Sequence, residues 1–119
     1  MTKRWGRGVR PNNNEMNGTE KAYAAELQRM KDAGEIHDFK FHAMTLTIAD
    51  PPKAKVARWT PDFCVWDTEL VLAFHEVKGF MQGHAQVRIK VAAATYPHPV
   101  YVVRKRTKKE GGGFTRELY

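Results

Sequence analysis

Apolar residues in the first half of the chain recur with a helical period, starting near Thr19. In the stretch TEKAYAAELQRMKDAGE, the apolar positions lie three and four residues apart, at Ala22, Tyr23, Leu27 and Met30. This spacing predicts an amphipathic helix, because side chains at such intervals share one helix face. Asn17 or Thr19 can cap its start, and Gly34 is expected to end it.

Three β-rich runs follow this helix. The first, IHDFKFHAMTLTI, predicts a single strand that the prolines of DPPK end. Its apolar residues are Ile36, Phe39, Phe41, Leu46 and Ile48. The next two strands are predicted at about residues 57–67 and 69–78, with a tight turn at Asp67 to Glu69. Apolar residues occupy both faces of this hairpin, which predicts central strands that are covered on both sides.

The second half of the chain predicts a helix and two further strands. The stretch FMQGHAQVRIKVAAATYP favours a helix of about twelve residues, which Pro97 and Pro99 end. Its apolar face comprises Ala85, Ile89, Ala92 and Ala93. VYVVRKR and FTREL are predicted strands joined by a turn at EGGG. The first three strands can form an antiparallel meander, and the fourth can join through a helical crossover. The predicted fold is therefore α/β, with a mixed central sheet flanked by helices.

The length of the chain corresponds to one domain. Its 119 residues, 42% of them hydrophobic, are sufficient for a modest core. Residues 1–17 are polar and basic and predict a flexible arm. Residues 18–119 are predicted to form a single domain, because neither an internal repeat nor a second-domain pattern occurs in them.

The charge of the chain favours an anionic partner. Twenty Lys and Arg residues against 13 acidic residues give a net charge of +7, and nucleic acid is the commonest partner of such proteins. A basic surface with no such role is the alternative. The single cysteine, Cys64, cannot form an internal disulfide. No apolar run approaches the roughly 18 residues that span a bilayer, and no secretory signal is visible. We therefore expect an intracellular protein without a membrane partner.

Three charged residues stand in the hydrophobic hairpin, namely Asp62, Glu76 and Lys78. Glu76 and Lys78 share one strand face, and a suitable register brings the carboxylate of Asp62 beside that of Glu76. Adjacent carboxylates repel each other, and a divalent cation such as Mg²⁺ removes this conflict. Lys78 would then lie beside the attacking water. In the alternative, Glu76 and Lys78 form a solvated pair and Asp62 only begins a strand.

These residues carry a resemblance to a known family. PDF at 61–63 and EVK at 76–78 resemble the PD-(D/E)xK nuclease superfamily, with Asp62, Glu76 and Lys78 at its acidic and lysine positions. The predicted order of elements resembles the restriction-endonuclease-like α-β-β-β-α-β core of that superfamily. TEKAYAAELQRMKDAGEI and HEVKG with VRIK also resemble a phage-borne branch of uncharacterised small nucleases, over residues 18 to about 105.

The resemblance implies a metal-dependent endodeoxyribonuclease that uses Mg²⁺, for which Mn²⁺ can substitute. It implies Asp62, Glu76 and the Val77 carbonyl as metal ligands, and Lys78 as the residue that aligns the water. A glutamate on the first helix often completes such sites, and Glu20 is the expected one, with Glu26 as the competitor. If it is phage-encoded, the protein would act in the host cytoplasm.

The resemblance also implies DNA contacts from the second helix, at Gln86, Arg88 and Lys90. The basic strand and turn RKRTKK adds Arg104, Lys105 and Arg106, although a solvated edge strand carries such residues equally well. A Holliday-junction resolvase, which would cut as a homodimer, and a non-catalytic nucleic-acid-binding protein remain alternatives.

The histidines do not predict a zinc site. Their positions, 37, 42, 75, 84 and 98, lack the spacing of zinc ligands. His75 precedes Glu76 and is therefore expected on the opposite sheet face, in a structural role.

Overall fold

The computed structural model of the protein describes residues 15–50, 55–78 and 83–119. Two helices, α1 (Gly18–Asp32) and α2 (Gly83–Thr95), lie within these ranges. The strands in them are β1 (Asp38–Phe41), β2 (Leu46–Asp50), β3 (Lys55–Trp59), β4 (Phe63–Trp66), β5 (Leu72–Val77), β6 (Val100–Lys105) and β7 (Phe114–Leu118). Of the predicted arm, residues 1–14 lie outside the described residues, as do Pro51 to Lys53 of the predicted strand breaker.

The main sheet has five strands in the order β1-β4-β5-β6-β7. All neighbouring pairs in it are antiparallel except β5 and β6, which are parallel. The chain reaches β6 from β5 through α2, and such a crossover is what a parallel pair requires. The sheet is therefore mixed, as the sequence predicts, and the fold is α/β. Strands β2 and β3 form a separate antiparallel pair.

Two apolar clusters cover the sheet, one on each face. On the α1 face the buried residues are Tyr23, Leu27, Ile36, Phe63, Val65, Val77 and Val103. On the α2 face they are Ile48, Trp59, Cys64, Phe74, Ile89, Ala92, Val100 and Val102. Residues of β4 alternate between the two clusters, as a strand with two buried faces must. The prediction that the hairpin strands are covered on both sides is confirmed.

Helix α1 begins with a capping box. The Asn17 side chain accepts from the Glu20 backbone N–H at 2.8 Å, and Glu20 Oε1 accepts from the Asn17 backbone N–H at 2.9 Å. This reciprocal pair satisfies two donors that a helix start would otherwise leave unpaired. Asn17 rather than Thr19 is thus the cap. Gly34 follows the end of the helix with a left-handed φ of 78°, which glycine adopts at little cost.

The prediction of one strand across IHDFKFHAMTLTI is wrong. It consists of β1 and β2, which belong to different sheets. The chain turns at His42, whose φ of 51° is incompatible with a continuing strand. The spacing of apolar residues does not reveal this break, because both strands contain apolar residues. Which strand each one pairs with is decided by segments that are distant in sequence.

The predicted strand at 57–67 is also two strands, β3 and β4. They are separated at residues 60–62, where Pro61 lacks the backbone N–H that a ladder needs. The predicted tight turn is longer than expected and occupies residues 67–71. There Asp67 Oδ1 accepts from the backbone N–H groups of Glu69 and Val71, at 2.8 and 2.9 Å. The meander β1-β4-β5 therefore exists in space, with the β2–β3 hairpin inserted into it.

The remaining elements agree with the sequence. Helix α2 spans 13 residues, and β6 and β7 occupy the two predicted strands, connected through glycines with positive φ at Gly111, Gly112 and Gly113. Within the described part of the chain, neither helix combines the length and the apolar character that crossing a membrane requires.

Candidate functional site

Asp62 and Glu76 meet where β4 begins and β5 ends. Phe63 pairs with His75 in the antiparallel register, so Asp62 lies next to Glu76. The backbone N–H of Asp62 donates to Glu76 Oε1 at 3.2 Å, and the backbone N–H of Val77 donates to Asp62 Oδ2 at 2.8 Å. Each carboxylate is thus held by the backbone of the opposite strand, which fixes both side chains on rigid elements.

Lys78 lies beside Glu76, and its Nζ is 3.3 Å from Glu76 Oε2. Its backbone N–H donates to the Val103 carbonyl at 2.8 Å and so continues the parallel pairing with β6. Because side chains alternate along a strand, Lys78 projects from the same sheet face as Glu76. Asp62, which is 14 residues before Glu76 in the sequence, is therefore brought together with Glu76 and Lys78.

Burial makes the two carboxyl groups hard to ionise. Asp62 and Glu76 are only 7% and 6% exposed. Burial, followed by the charge of Glu76, raises the pKa of Asp62 to about 8, although the Val77 N–H and Lys78 oppose the shift. Burial also raises the pKa of Glu76 against the opposing effect of Lys78. A cation between these groups would favour their charged forms.

Lys78 keeps its positive charge. Burial would lower the pKa of its ammonium, but the nearby carboxyl groups of Glu76 and Asp62 more than offset this, and the pKa of Lys78 is raised. The side chain is therefore a hydrogen-bond donor at neutral pH. It can orient a water molecule or an anionic group, and it is poorly suited to accept a proton.

A second grouping shares Asp62 with the first. Ligand atoms of Glu20, His42 and Asp62 all lie within 4.8 Å of one another, close enough to hold one metal ion. His42 Nε2 is 3.7 Å from Asp62 Oδ1. Among the residues that the structure describes, these three are the acidic, histidine or cysteine side chains that lie close enough together to hold one metal ion. Glu76 is not one of them.

Of the two glutamates considered on α1, Glu20 lies near Asp62. Glu20 is in the first turn of the helix, whereas Glu26 is more than one turn further along the helix and pairs with Arg29 at 3.0 Å. The first turn of α1 and the residue that precedes β4 therefore lie close together at this grouping.

His42 belongs to this grouping, although the sequence did not predict His42 as a site residue. Its backbone N–H donates to the Asp62 carbonyl at 3.0 Å, and its ring stacks on Phe41 with the ring centres 3.7 Å apart. Regular spacing between histidines is the usual sequence sign of a zinc site, but here the neighbours are carboxylates from other elements. The left-handed backbone at residue 42 leaves no clear mark in the sequence.

Trp59 contributes a buried donor near Glu76. Its Nε1 atom has no hydrogen-bond partner among the described residues. It is nevertheless close enough to Glu76 to be among the groups that lower the pKa of that carboxyl, against the larger effect of burial. Trp59 is therefore a buried donor beside the site that no described side chain satisfies.

His75 lies on the opposite face from Glu76, as predicted. Its Nδ1 shares a hydrogen bond of 2.6 Å with the Tyr23 hydroxyl. Burial, together with the nearby charge of Arg116, lowers the pKa of His75 to about 3. The imidazole is therefore neutral, and it is part of the core between the sheet and α1. A largely apolar cleft of about 300 Å³ on this face is lined in part by His75 and Arg116.

The α2 residues predicted to bind DNA have different environments. Gln86 Nε2 lies 3.5 Å from the Tyr119 hydroxyl, so its side chain points towards the C-terminus of the chain. Arg88 is half-buried and Lys90 is exposed. The side chain of His84, on the first turn of this helix, lies outside the described residues.

The basic residues of β6 and the following turn are solvent-facing. Arg104 is paired with Glu117 of β7 at 3.0 Å, Lys105 is exposed, and Arg106 donates to the Glu110 carbonyl. Because Val77 is in register with Val103, the next residues, Lys78 and Arg104, are neighbours on one sheet face. Arg104 thus lies beside Lys78 on the sheet face that carries Glu76.

No protein-family model, curated protein or solved structure matches this chain.

Proposed function

We propose that the protein is a metal-dependent endodeoxyribonuclease of the PD-(D/E)xK type. The observation that supports this most is the meeting of Asp62, Glu76 and Lys78 at the junction of β4 and β5. Two buried carboxylates are held by opposite strands, with an ammonium 3.3 Å from one of them. Buried charges are retained in proteins chiefly where they are paired or bind a cation.

The arrangement of elements supports a restriction-endonuclease-like core. Helix α1, the antiparallel strands β1, β4 and β5, the α2 crossover and the parallel strand β6 follow the α-β-β-β-α-β order. The β2–β3 hairpin is then an insertion between the first two strands of that core. In this interpretation the site residues lie on the second and third core strands and on the first helix.

The donor set suits a hard divalent cation such as Mg²⁺, for which Mn²⁺ would substitute. Asp62, Glu76 and the Val77 carbonyl would hold it, with Glu20 nearby, since carboxylate and carbonyl oxygens are the ligands that such ions prefer. Burial raises the pKa of both carboxyls even though the Lys78 ammonium opposes the shift, and a bound cation would favour their charged forms. A bound cation supplies charge neutralisation at the phosphate and a lower pKa for water.

The protein's own groups position the reactants. Lys78, as an ammonium held by Glu76, donates a hydrogen bond that orients the attacking water or a phosphate oxygen. Water adds to phosphorus, the bond to the 3′ oxygen breaks with its electron pair on that oxygen, and a proton that the water loses ends there, which leaves 5′-phosphate and 3′-hydroxyl ends. The net charge of +7 and the placement of Arg104 beside Lys78 favour a polyanion such as DNA as the substrate.

The test is cleavage of linear duplex, single-stranded and four-way-junction DNA, with Mg²⁺ or with EDTA. We expect cutting with Mg²⁺ and no cutting with EDTA. Asp62→Asn should reduce cleavage by at least about 100-fold, the scale on which single electrostatic groups act in active sites. Asp32→Asn is the matched control, because Asp32 is an exposed residue at the end of α1 whose carboxylate accepts from the Gln28 side chain. It should cut like the parent.

Three outcomes would redirect the assignment. DNA binding without cleavage in any metal would support the non-catalytic nucleic-acid-binding protein. Cleavage confined to the four-way junction would support a junction resolvase with the same site. Equal cleavage by the parent and Asp62→Asn would contradict the proposed site.

A further inference from the structure

We propose that His42 is a ligand of the metal ion, together with Asp62 and Glu20, and that it makes the site prefer first-row transition dications such as Mn²⁺ to Mg²⁺. This deepens the proposed function and rests on the metal site proposed at Asp62. It adds a residue that the motif does not contain, and it reverses the expected order of the two cations.

The distances fit shared ligation. Ligand atoms about 2.1 Å from one ion lie about 3 Å apart when adjacent and about 4.2 Å apart when opposite. The 3.7 Å between His42 Nε2 and Asp62 Oδ1 falls between these values, and it is longer than a good hydrogen bond. The ligand atoms of Glu20, His42 and Asp62 all lie within 4.8 Å of one another. This upper limit exceeds the distance between opposite ligands by an amount that small side-chain rotations can remove.

The backbone at His42 supports a functional role independently. A φ of 51° is uncommon for a residue other than glycine, and such conformations persist where the surroundings impose them, often at functional sites. Here the imposing contacts are the hydrogen bond from the His42 N–H to the Asp62 carbonyl and the stacking on Phe41. Both hold the imidazole beside Asp62 before any ion binds.

The type of ligand determines the preferred cation. Mg²⁺ favours oxygen ligands and near-ideal octahedral geometry, and a neutral imidazole is a poor substitute for one of them. Transition dications accept nitrogen readily, and their affinity for mixed nitrogen–oxygen sites rises from Mn²⁺ to Co²⁺. With the His42 imidazole added to its oxygen ligands, the site should therefore bind Co²⁺ and Mn²⁺ more tightly than Mg²⁺.

Titration calorimetry of the full chain with Mn²⁺ and with Mg²⁺ tests this preference. Changes in residues that only orient a ligand commonly cost 10–100-fold in metal affinity, so loss of a direct ligand should cost at least about tenfold. His42→Asn should thus weaken Mn²⁺ binding at least about tenfold and change Mg²⁺ binding much less. His37→Asn is the control, because His37 is an exposed histidine outside the grouping, and it should bind both ions like the parent.

Electron spin-echo spectroscopy of the Mn²⁺-loaded parent gives a second readout that does not depend on a variant folding. We expect a nitrogen coupling that changes when the histidines are labelled with ¹⁵N, and that is absent in His42→Asn. No histidine coupling in the parent would overturn the inference, as would equal Mn²⁺ affinity in the parent and His42→Asn.

Failure of this inference is distinguishable from failure of the proposed function. If the parent cuts DNA, Asp62→Asn does not, and no histidine coupling is seen, the nuclease stands and the role of His42 is refuted. If the coupling is present and depends on His42, but the parent cuts no DNA with Mg²⁺ or Mn²⁺, the ligand assignment stands and the nuclease is refuted.

Discussion

Asp62 is the single residue on which the proposed chemistry depends most, and we expect its charge to serve function and to lower the stability of the metal-free protein. A buried carboxylate without a cation is costly, whereas a bound cation compensates it. We therefore expect Asp62→Asn to melt at the same temperature as the parent or higher in EDTA. The asparagine side-chain oxygen can still accept from the Val77 N–H, which now donates to Asp62 Oδ2 at 2.8 Å.

Melting curves with Mg²⁺ complete this test. The ion should raise the melting temperature of the parent, because it binds only the folded state, and should leave that of Asp62→Asn unchanged. A mutant that is destabilised equally in EDTA and in Mg²⁺ would mean that Asp62 is an ordinary structural residue.

The stability of the metal-free protein should also depend on pH through Asp62. Its pKa rises from an ordinary value of 3.8 to about 8 in the fold, so between these values the folded protein binds more protons at this site than the unfolded chain does. Stability then falls as pH rises through this range, by at most about 1.4 kcal/mol per pH unit for one proton. Below the ordinary pKa of 3.8, the stabilisation that the protonated Asp62 carboxyl gives to the folded protein is fully present.

Urea unfolding in EDTA at several pH values between the two pKa values measures this slope. The same series on Asp62→Asn should show a smaller fall, since the variant removes this titration and retains the others. Parallel curves for the two proteins would show that the Asp62 carboxyl titrates normally in the fold.

At the scale of elements, the first turn of α1 links helix capping to the site. Glu20 accepts from the Asn17 N–H in the capping box and is also a member of the grouping with Asp62. Glu20→Gln keeps an acceptor for the cap, so we expect the free energy of unfolding to change by less than about 1 kcal/mol. Loss of the negative charge should lower cleavage.

The matched control for this helix is Glu26→Gln. It removes an exposed pair with Arg29, which is expected to contribute little to stability, and cleavage should be unchanged. Cleavage by each variant, alongside its circular-dichroism melting curve, provides the measurement. Full activity in Glu20→Gln would exclude that residue from the site.

The strand breaks at His42 and at Pro61 have one cause, which is the β2–β3 pair inserted between them. The chain leaves the main sheet at His42, forms the β2–β3 hairpin, and returns at Pro61 and Asp62. The points of departure and return are joined by the bond from the His42 N–H to the Asp62 carbonyl and by the contact of the Thr45 and Thr60 hydroxyls at 2.7 Å. The hairpin insertion therefore brings His42 and Asp62 together.

At the scale of the whole molecule, the excess of positive charge predicts salt-dependent DNA binding. Each phosphate contact contributes about −0.9 to the slope of log affinity against log salt on duplex DNA. With a net charge of +7, we expect a slope of magnitude about 4 or more. Binding measured in Ca²⁺, which we expect to permit binding without cutting, over a series of salt concentrations gives this slope. A slope near zero would remove nucleic acid as the partner.

Local interactions explain what the sequence by itself determined. The helices follow from apolar spacing and from caps such as Asn17, which involve neighbours within one or two turns. The central position of the hairpin strands follows from apolar residues on both faces. The crossover to β6 follows from the order of the elements. Asp62, Glu76 and Lys78 stand out because charge is unusual in such a hairpin, so the sequence alone is enough to single them out.

Contacts between distant segments were decided only by the tertiary structure. The breaks at His42 and Pro61 depend on which strands pair with each other. The spacing of apolar residues can predict that a strand forms, but not which strand it pairs with. The choice of Glu20 over Glu26 depends on how α1 lies against the sheet. The proximity of His42 to Asp62 depends on a left-handed backbone that only the surrounding contacts stabilise. Pairing and packing across the chain, rather than local preference, place these residues together.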